Sequence, residues 1–148
     1  MTKATFHAAV LAAVTAAASA SAFADNDVRR YCSDTLVRGT YAIQLQGSQT
    51  MPDGSVQNII GVVVRVYDGD GGVQQWDNVK NSVTGYVPNR YGTGTYKVND
   101  DCTLDVTFHP VPTVTLQERG VIVDNGRELR TVTVFPAGLF VTSVAQRI

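Results

Sequence analysis

The sequence has few of the residues from which catalytic and metal sites are most often built. Its 148 residues include two cysteines and two histidines, and one of these histidines, His7, lies in a predicted leader. The other, His109, precedes Pro110 on the polar face of a predicted strand, and no His-x-x-x-His or Gly-x-Ser-x-Gly motif accompanies it. We therefore predict no catalytic residue, no metal and no cofactor, and the sequence favours a protein that is not an enzyme.

Long runs of basic or apolar residues are also missing. Arg29-Arg30 is the longest basic run, so the chain lacks the positive patch with which proteins neutralise nucleic-acid phosphates. No apolar run approaches the ~20 residues that a transmembrane helix requires. The sequence predicts neither a nucleic-acid partner nor a stable membrane anchor, and it leaves the oligomeric state open.

The first residues have the pattern of an export signal. A lysine at position 3 is followed by a short stretch rich in Ala, Val and Leu at 8–20, and then by the small-x-small motif Ala-Phe-Ala24. We expect cleavage after Ala24. Residues 1–24 are then a signal peptide, residues 25–148 are a single domain, and that domain is secreted or periplasmic.

Cys32 and Cys102 are the only cysteines. Because exported proteins mature in an oxidising environment, we predict that these two residues form a disulfide. In the chain-entropy account, a bond that closes so long a loop stabilises the folded domain by about 4 kcal/mol. A reactive or metal-binding thiol pair is the alternative, but neither cysteine has a second cysteine or a histidine at ligand spacing.

Apolar and polar residues alternate along most of the domain, and no stretch shows helical periodicity with a cap. The clearest example is a hairpin at 94–109. Tyr96 and Val98 share one face of its first strand, and Leu104 and Phe108 share one face of its second. Turn residues separate eight such strands, predicted at 36–47, 56–67, 73–87, 90–98, 103–109, 113–123, 127–135 and 139–147.

The short connections predict that successive strands are antiparallel neighbours. The fold class is therefore all-β, and the most economical arrangement is a single eight-stranded antiparallel up-and-down barrel, because closure removes exposed sheet edges. A two-sheet β-sandwich is the alternative.

Several segments, in order, resemble a family of small exported microbial proteins. They are CSDTLVRGTY at 32–41, YDGDG at 67–71, GTYKVNDDCT at 94–103, VIVDNGRELRTV at 121–132 and VTSVAQRI at 141–148. That family carries G-T-Y-x-V-N-x-D-C-T and V-x-V-D-x-G-R-E-I-R motifs, and this chain departs from it at Leu104, where the family usually has glycine. The resemblance implies a calycin-type barrel, lipocalin-like or allene-oxide-cyclase-like, and assigns no activity.

Gly39-Thr-Tyr41 and Arg147 resemble the Gly-x-Trp and arginine of the lipocalin superfamily. In that superfamily an aromatic ring and a guanidinium stack to plug the closed end of the barrel. The resemblance implies that Tyr41 and Arg147 form such a plug, through a cation–π contact worth about 0.5–2 kcal/mol. Alternatively, Tyr41 is an ordinary core residue and Arg147 is a solvated terminal charge.

Five aromatic residues are candidates for lining a ligand site inside the barrel: Tyr41, Trp76, Tyr96, Phe108 and Phe140. An eight-stranded barrel has the size at which side chains either fill the interior or leave room for one small ligand. We predict an exported binding module for a small apolar or aromatic ligand. Two alternatives stay open: a cofactor-free isomerase or cyclase that uses the same cavity, and a solid-core structural or interaction domain that works through its surface.

Overall fold

The computed structural model describes residues 32–148, and the predicted signal peptide, residues 1–24, lies outside them. The strands are β1 (Gly39–Thr50), β2 (Val56–Tyr67), β3 (Gly72–Asn81), β4 (Gly85–Val98), β5 (Thr103–Val111), β6 (Val114–Val123), β7 (Glu128–Phe135) and β8 (Leu139–Arg147). Short 3₁₀ helices, Asp34–Val37 and Asp124–Gly126, precede β1 and β7. No helix in the described part of the chain is long and apolar enough to cross a membrane.

Each strand pairs antiparallel with the next one, and β8 pairs back with β1. The closing pair aligns Tyr41 with Arg147 and Gln49 with Leu139. The sheet is therefore a closed eight-stranded antiparallel up-and-down barrel. The predicted fold class is confirmed, and the sandwich alternative is wrong, because closure gives every strand two neighbours and leaves no exposed edge.

The strand β5 shows how the sequence pattern forms the barrel wall. Leu104, Val106 and Phe108 are almost fully buried, whereas the residues between them are partly exposed. Successive side chains of a strand point to opposite faces, so an apolar residue at every second position faces the barrel interior. The hairpin expected at 94–109 is formed by β4 and β5, with Tyr96 opposite Val106.

The boundary between β3 and β4 differs from the prediction. The chain turns at residues 82–84, inside the single strand predicted at 73–87. Asn81 makes this turn, because its Oδ1 accepts hydrogen bonds of 2.6 and 3.0 Å from two backbone N–H groups within it. Asn89 lies inside β4 with a φ of 47°, at a bulge where the register with β3 shifts.

The barrel end at which β1 begins is filled by the chain's own side chains. Val37, from the 3₁₀ helix before β1, is fully buried there. The Tyr67 ring meets those of Tyr41 and Tyr96 edge-on, with ring centroids 5.5 and 4.9 Å apart. Asp34 fixes the entering segment, because its carboxylate accepts a 2.7 Å hydrogen bond from the backbone N–H at the end of β4.

The predicted disulfide is confirmed. Cys32 and Cys102 are joined, although 70 positions separate them in the sequence. Cys102 lies in the turn between β4 and β5, so the bond ties the segment before β1 to that turn. Both ends of the bond belong to the closed end of the barrel.

Candidate functional site

The opposite end of the barrel holds a cavity of about 310 Å³, and side chains from all eight strands line it. It lies toward the connections 51–55, 82–84, 112–113 and 136–138. The sequence left open whether the interior is filled or hollow. The structure contains both conditions, with a packed core at one end and a cavity at the other.

Aliphatic side chains form much of the cavity wall. They are Leu45, Ile59, Val79, Val114, Leu116, Leu139 and Val141. Covering apolar surface of this kind with an apolar ligand is worth roughly 25 cal/mol per Å² removed from water. The wall therefore favours a ligand with an apolar body.

A buried ion pair between Arg65 of β2 and Glu118 of β6 forms the floor of the cavity. The two terminal nitrogens of Arg65 donate to the two carboxylate oxygens of Glu118 at 2.8 and 2.9 Å. The side chains are only 4% and 12% exposed. Arg65 also donates to the Tyr67 hydroxyl at 3.2 Å and, through Nε, to Gln75 Oε1 at 2.6 Å. These partners hold the guanidinium in one orientation.

The ion pair keeps Glu118 ionised. Burial alone raises the pKa of Glu118, but the charge and hydrogen bonds of Arg65, with a further hydrogen bond from Thr131, lower it more. The net pKa of Glu118 therefore lies below its ordinary value. Tyr67 stays a neutral phenol, because burial raises its pKa by more than Arg65 lowers it.

A second ion pair lies beside the first. Asp77 is 1% exposed and accepts hydrogen bonds of 3.0 Å from both Nε and Nη2 of Arg90. Gln75 donates to Asp77 at 3.0 Å while accepting from Arg65, so it links the two pairs. The charged residues that line the cavity are thus two arginines and two carboxylates, and their charges cancel.

Gln57, near the start of β2, has a polar atom without a partner. The side chain is 7% exposed and lines the cavity. Its Nε2 donates to Gln49 Oε1 at 2.8 Å, but its Oε1 is the one buried side-chain nitrogen or oxygen within residues 32–148 that forms no hydrogen bond. Buried polar groups are normally hydrogen-bonded, so this acceptor is an exception within the described residues.

Among the five aromatic residues proposed as ligand contacts, Phe108 lines the cavity. Its ring lies 5.5 Å below the guanidinium carbon of Arg65, measured to the ring centroid. Gly92 gives it space, because a Cβ at that position would lie 2.5 Å from the tip of the Phe108 ring. Tyr41 and Tyr96 are buried in the closed end and do not line the cavity.

Trp76 and Phe140 lie on the outer surface, 39% and 61% exposed, so the interior position expected for them is corrected. Their neighbours Gln75 and Val141 face inward, and side chains alternate along a strand. Trp76 instead packs against Tyr91 on the outer face, with ring centroids 5.2 Å apart.

Arg147 and Tyr41 meet at the closed end. The guanidinium carbon of Arg147 lies 5.4 Å from the Tyr41 ring centroid, and its Nε and Nη2 donate to the Tyr41 hydroxyl at 3.2 and 2.8 Å. The Tyr41 hydroxyl donates in turn to the carbonyl of Gly126, and Arg147 Nη2 also donates to the carbonyl of Leu36 at 2.6 Å. These bonds connect β1 and β8 to both 3₁₀ segments.

The polar floor of the cavity is not among the sites predicted from the sequence. Arg65 shares a face with Val63 and Tyr67 in β2, and Glu118 shares one with Leu116 in β6. A charged residue on an otherwise apolar face was the available signal. Within residues 32–148, no group of three or more His, Cys, Asp and Glu side chains is suited to holding a metal ion.

No protein-family model matches the chain, and no curated protein matches it. Among solved structures, a redesigned β-barrel is similar over 78% of this chain and 94% of its own, with 14% identity and a TM-score of 0.48. A second redesigned β-barrel, bound to DFHBI, matches over 77% and 97%, with 18% identity and a TM-score of 0.46. An S-type phycobiliprotein lyase from Guillardia theta matches over 78% and 90%, with 5% identity and a TM-score of 0.40.

Proposed function

We propose that this protein binds one small apolar or aromatic molecule in the cavity at the open end of the barrel. The observation that carries the proposal is the division of the interior, with a packed closed end and a cavity of about 310 Å³ at the other. A volume of this size is at the lower end of the range typical of small-molecule sites. Apolar walls with a few fixed polar groups are also typical of such sites.

The rigidity of the cavity supports binding. The barrel is closed, and its floor is fixed by the Arg65–Glu118 and Arg90–Asp77 pairs. A site whose side chains are already ordered loses little conformational entropy when a ligand enters, so more of the contact energy appears as affinity.

Uptake of a fluorescent aromatic probe tests the proposal. We expect 1-aminoanthracene to bind with one site per chain and with a blue-shifted emission. Val141→Trp fills the cavity and abolishes this uptake, because Val141 lines it. Val144→Trp is the matched control, since Val144 lies on the outer face of the same strand and is 44% exposed.

Equal uptake by both tryptophan variants, with unchanged thermal unfolding, contradicts a site in the cavity. Absence of uptake by the wild-type protein supports the alternative of a domain that works through its surface. A molecule retained in native mass spectrometry, after purification from the exporting host, supports binding and gives the ligand's mass.

Catalysis in the same cavity is the second candidate, and it would have to use the buried charged groups that line the floor. General acid–base catalysis needs a group whose pKa lies near the working pH and whose proton can move. Both carboxylate oxygens of Glu118 accept hydrogen bonds from Arg65, and the pKa of Glu118 is lowered. Glu118 is therefore a weak base, and the geometry supports binding better than proton transfer.

We also propose that the chain is exported and cleaved after Ala24. A disulfide between Cys32 and Cys102 suits an oxidising compartment. N-terminal sequencing of the protein recovered from the periplasmic or culture fraction should begin at Asp25. An intact Met1 in that fraction contradicts the cleavage.

A further inference from the structure

Arg90 is the charged residue of the cavity that a ligand can reach most easily, and the inference drawn from it rests on the proposed binding function. We infer that the ligand is an uncharged molecule with a carbonyl oxygen, and that this oxygen accepts a hydrogen bond from the guanidinium of Arg90.

Arg90 faces the cavity from β4. Side chains alternate along this strand: the neighbouring Tyr91 is half-exposed on the outer surface, whereas Gly92, two positions from Arg90, is buried. Arg90 lines the cavity and its side chain is 31% exposed, while Arg65 at the floor is almost fully buried. A molecule in the cavity therefore has access to the guanidinium of Arg90 and hardly any to that of Arg65.

Asp77 holds the Arg90 guanidinium by one edge. Its carboxylate accepts from Nε and Nη2 of Arg90 at 3.0 Å each, and it also accepts a 3.0 Å hydrogen bond from Gln75. A guanidinium has five N–H groups in one plane, and the pairing with Asp77 uses two of them. Both N–H groups of Nη1 lie on the other edge, where they can donate to an oxygen of a ligand.

The other polar groups of the lining do not favour a ligand that donates. Asp77 and Glu118 only accept, but both side chains are largely buried and their oxygens are held by the arginines. The remaining polar side chains that line the cavity are amides and the hydroxyl of Thr133, which both donate and accept. Arg90 only donates, so the lining is biased toward a ligand with an acceptor oxygen.

The ion pairs favour an uncharged ligand. Arg65 is paired with Glu118 and Arg90 with Asp77, so the four charges cancel. A carboxylate bound to Arg90 would place a second negative charge close to Asp77 and would also lose its own hydration. A ketone or an ester presents an acceptor oxygen without that charge, and it leaves the pair of Arg90 and Asp77 intact.

Displacement of 1-aminoanthracene from the protein compares three naphthalenes of similar size: 2-acetylnaphthalene, 2-isopropenylnaphthalene and 2-naphthoate. The first two have the same shape, except that a C=CH₂ group replaces the C=O group. We expect 2-acetylnaphthalene to bind about tenfold more tightly than 2-isopropenylnaphthalene, the effect of one hydrogen bond to a charged donor. The anion 2-naphthoate should bind more weakly than the ketone.

Arg90→Met combined with Asp77→Asn identifies the donor. The double substitution removes the guanidinium without leaving a buried carboxylate unpaired, and asparagine still accepts from Gln75. This variant should bind 2-acetylnaphthalene and 2-isopropenylnaphthalene with equal affinity. Arg119→Met combined with Asp105→Asn makes the same changes in an ion pair on the outer surface, and it should keep the tenfold preference.

Infrared spectroscopy of bound 2-acetylnaphthalene measures the hydrogen bond without a variant. In the wild-type protein the carbonyl stretching frequency should be lower than in an alkane solvent, because the oxygen accepts a hydrogen bond. A frequency equal to that in the alkane overturns the inference, even where the double variant does not fold.

Equal affinity of the wild-type protein for the ketone and the alkene overturns the inference, although binding in the cavity then still stands. A preference that persists in the variant without Arg90, or tighter binding of 2-naphthoate than of the ketone, also overturns it. If neither 1-aminoanthracene nor any of the three naphthalenes binds, the proposed function fails together with the inference.

Discussion

Arg65 and Glu118 meet across the barrel interior from β2 and β6, with two hydrogen bonds of 2.8 and 2.9 Å, although 53 positions separate them in the sequence. The pair lies at the boundary between the packed end of the barrel and the cavity. It therefore links the stability of the fold to the shape of the proposed site.

Removing one member of this pair should destabilise the protein strongly. Glu118→Gln keeps the size of the side chain but leaves the buried guanidinium of Arg65 without a counter-charge. We expect the free energy of unfolding to fall by about 3–5 kcal/mol. Urea titration followed by circular dichroism measures this change.

Glu128→Gln is the matched control, because Glu128 pairs with Arg130 at 2.7 Å on the surface, where Arg130 is 64% exposed. The free energy of unfolding of Glu128→Gln should fall by less than about 1 kcal/mol. Replacing both partners of the buried pair, as in Arg65→Met with Glu118→Leu, should recover much of the lost stability. Equal losses of unfolding free energy in Glu118→Gln and Glu128→Gln contradict a special role of the buried Arg65–Glu118 pair in stability.

Acid should weaken the protein through Glu118 in a defined pH range. The pKa of Glu118 in the folded protein lies below its ordinary value of 4.5. Its stabilising contribution is therefore fully present above that value and is lost as the pH falls through the folded pKa. We expect the wild-type Tm to drop more steeply below about pH 4.5 than that of Glu118→Gln.

Asp68→Asn provides a comparison for this titration. The pKa of Asp68 is also lowered, because its carboxylate accepts from the backbone N–H groups of Asp70 and Gly72 in an exposed turn. Asp68 therefore also stabilises the folded protein above its folded pKa. Because its carboxylate is solvated, we expect Asp68→Asn to change the acid slope of Tm against pH less than Glu118→Gln does. An acid slope identical in wild type and Glu118→Gln contradicts the lowered pKa of Glu118.

The disulfide should stabilise the folded protein because it closes a long loop. Cys32→Ser with Cys102→Ser removes a bond between positions 70 apart, and we expect a loss of about 4 kcal/mol. Urea unfolding of the oxidised protein, the reduced protein and the serine variant measures it. Reduced and serine forms should agree. If the oxidised protein is no more stable than the reduced protein or the serine variant, the expected stabilisation by the disulfide is refuted.

Removal of the Tyr41 hydroxyl should lower the stability of the folded protein. It donates to the carbonyl of buried Gly126 and accepts from Arg147, so Tyr41→Phe leaves the Gly126 carbonyl without this donor. We expect a loss of about 1–3 kcal/mol. Tyr91→Phe, at a half-exposed outer position, should lose much less. Similar losses for both variants argue against the proposed plug formed by Tyr41 and Arg147.

The alternation of apolar and polar residues predicted most strands of the barrel, because it follows directly from the two faces of each strand. The limits of β2, and those of β8, are the ones expected from the sequence. The β3–β4 turn was misplaced, since Pro88 and Asn89 resemble a turn but form a bulge, while Val83 puts an apolar residue in the real one. The side chain of Asn81 decides between these sites, and its hydrogen bonds are visible only in the folded chain.

The candidate site was less predictable than the fold. The alternation along β5 predicts an interior position for Phe108, whereas the aromatic character of Trp76 and Phe140 does not fix their face, and both lie outside. Arg65 interrupts an apolar face, which marks it as unusual, but a single sequence does not say which distant carboxylate pairs with it. The orphaned oxygen of Gln57 depends on the positions of all its neighbours, so no local pattern predicts it.

The most direct test of a ligand site inside the barrel is the methyl NMR spectrum of the protein during titration with 2-naphthol. We expect shifts of the cavity methyl groups of Leu45, Val79 and Val141, with little change at Val62 and Val144 on the outer face. Shifts confined to the outer valines, or no shifts at saturating 2-naphthol, would contradict it.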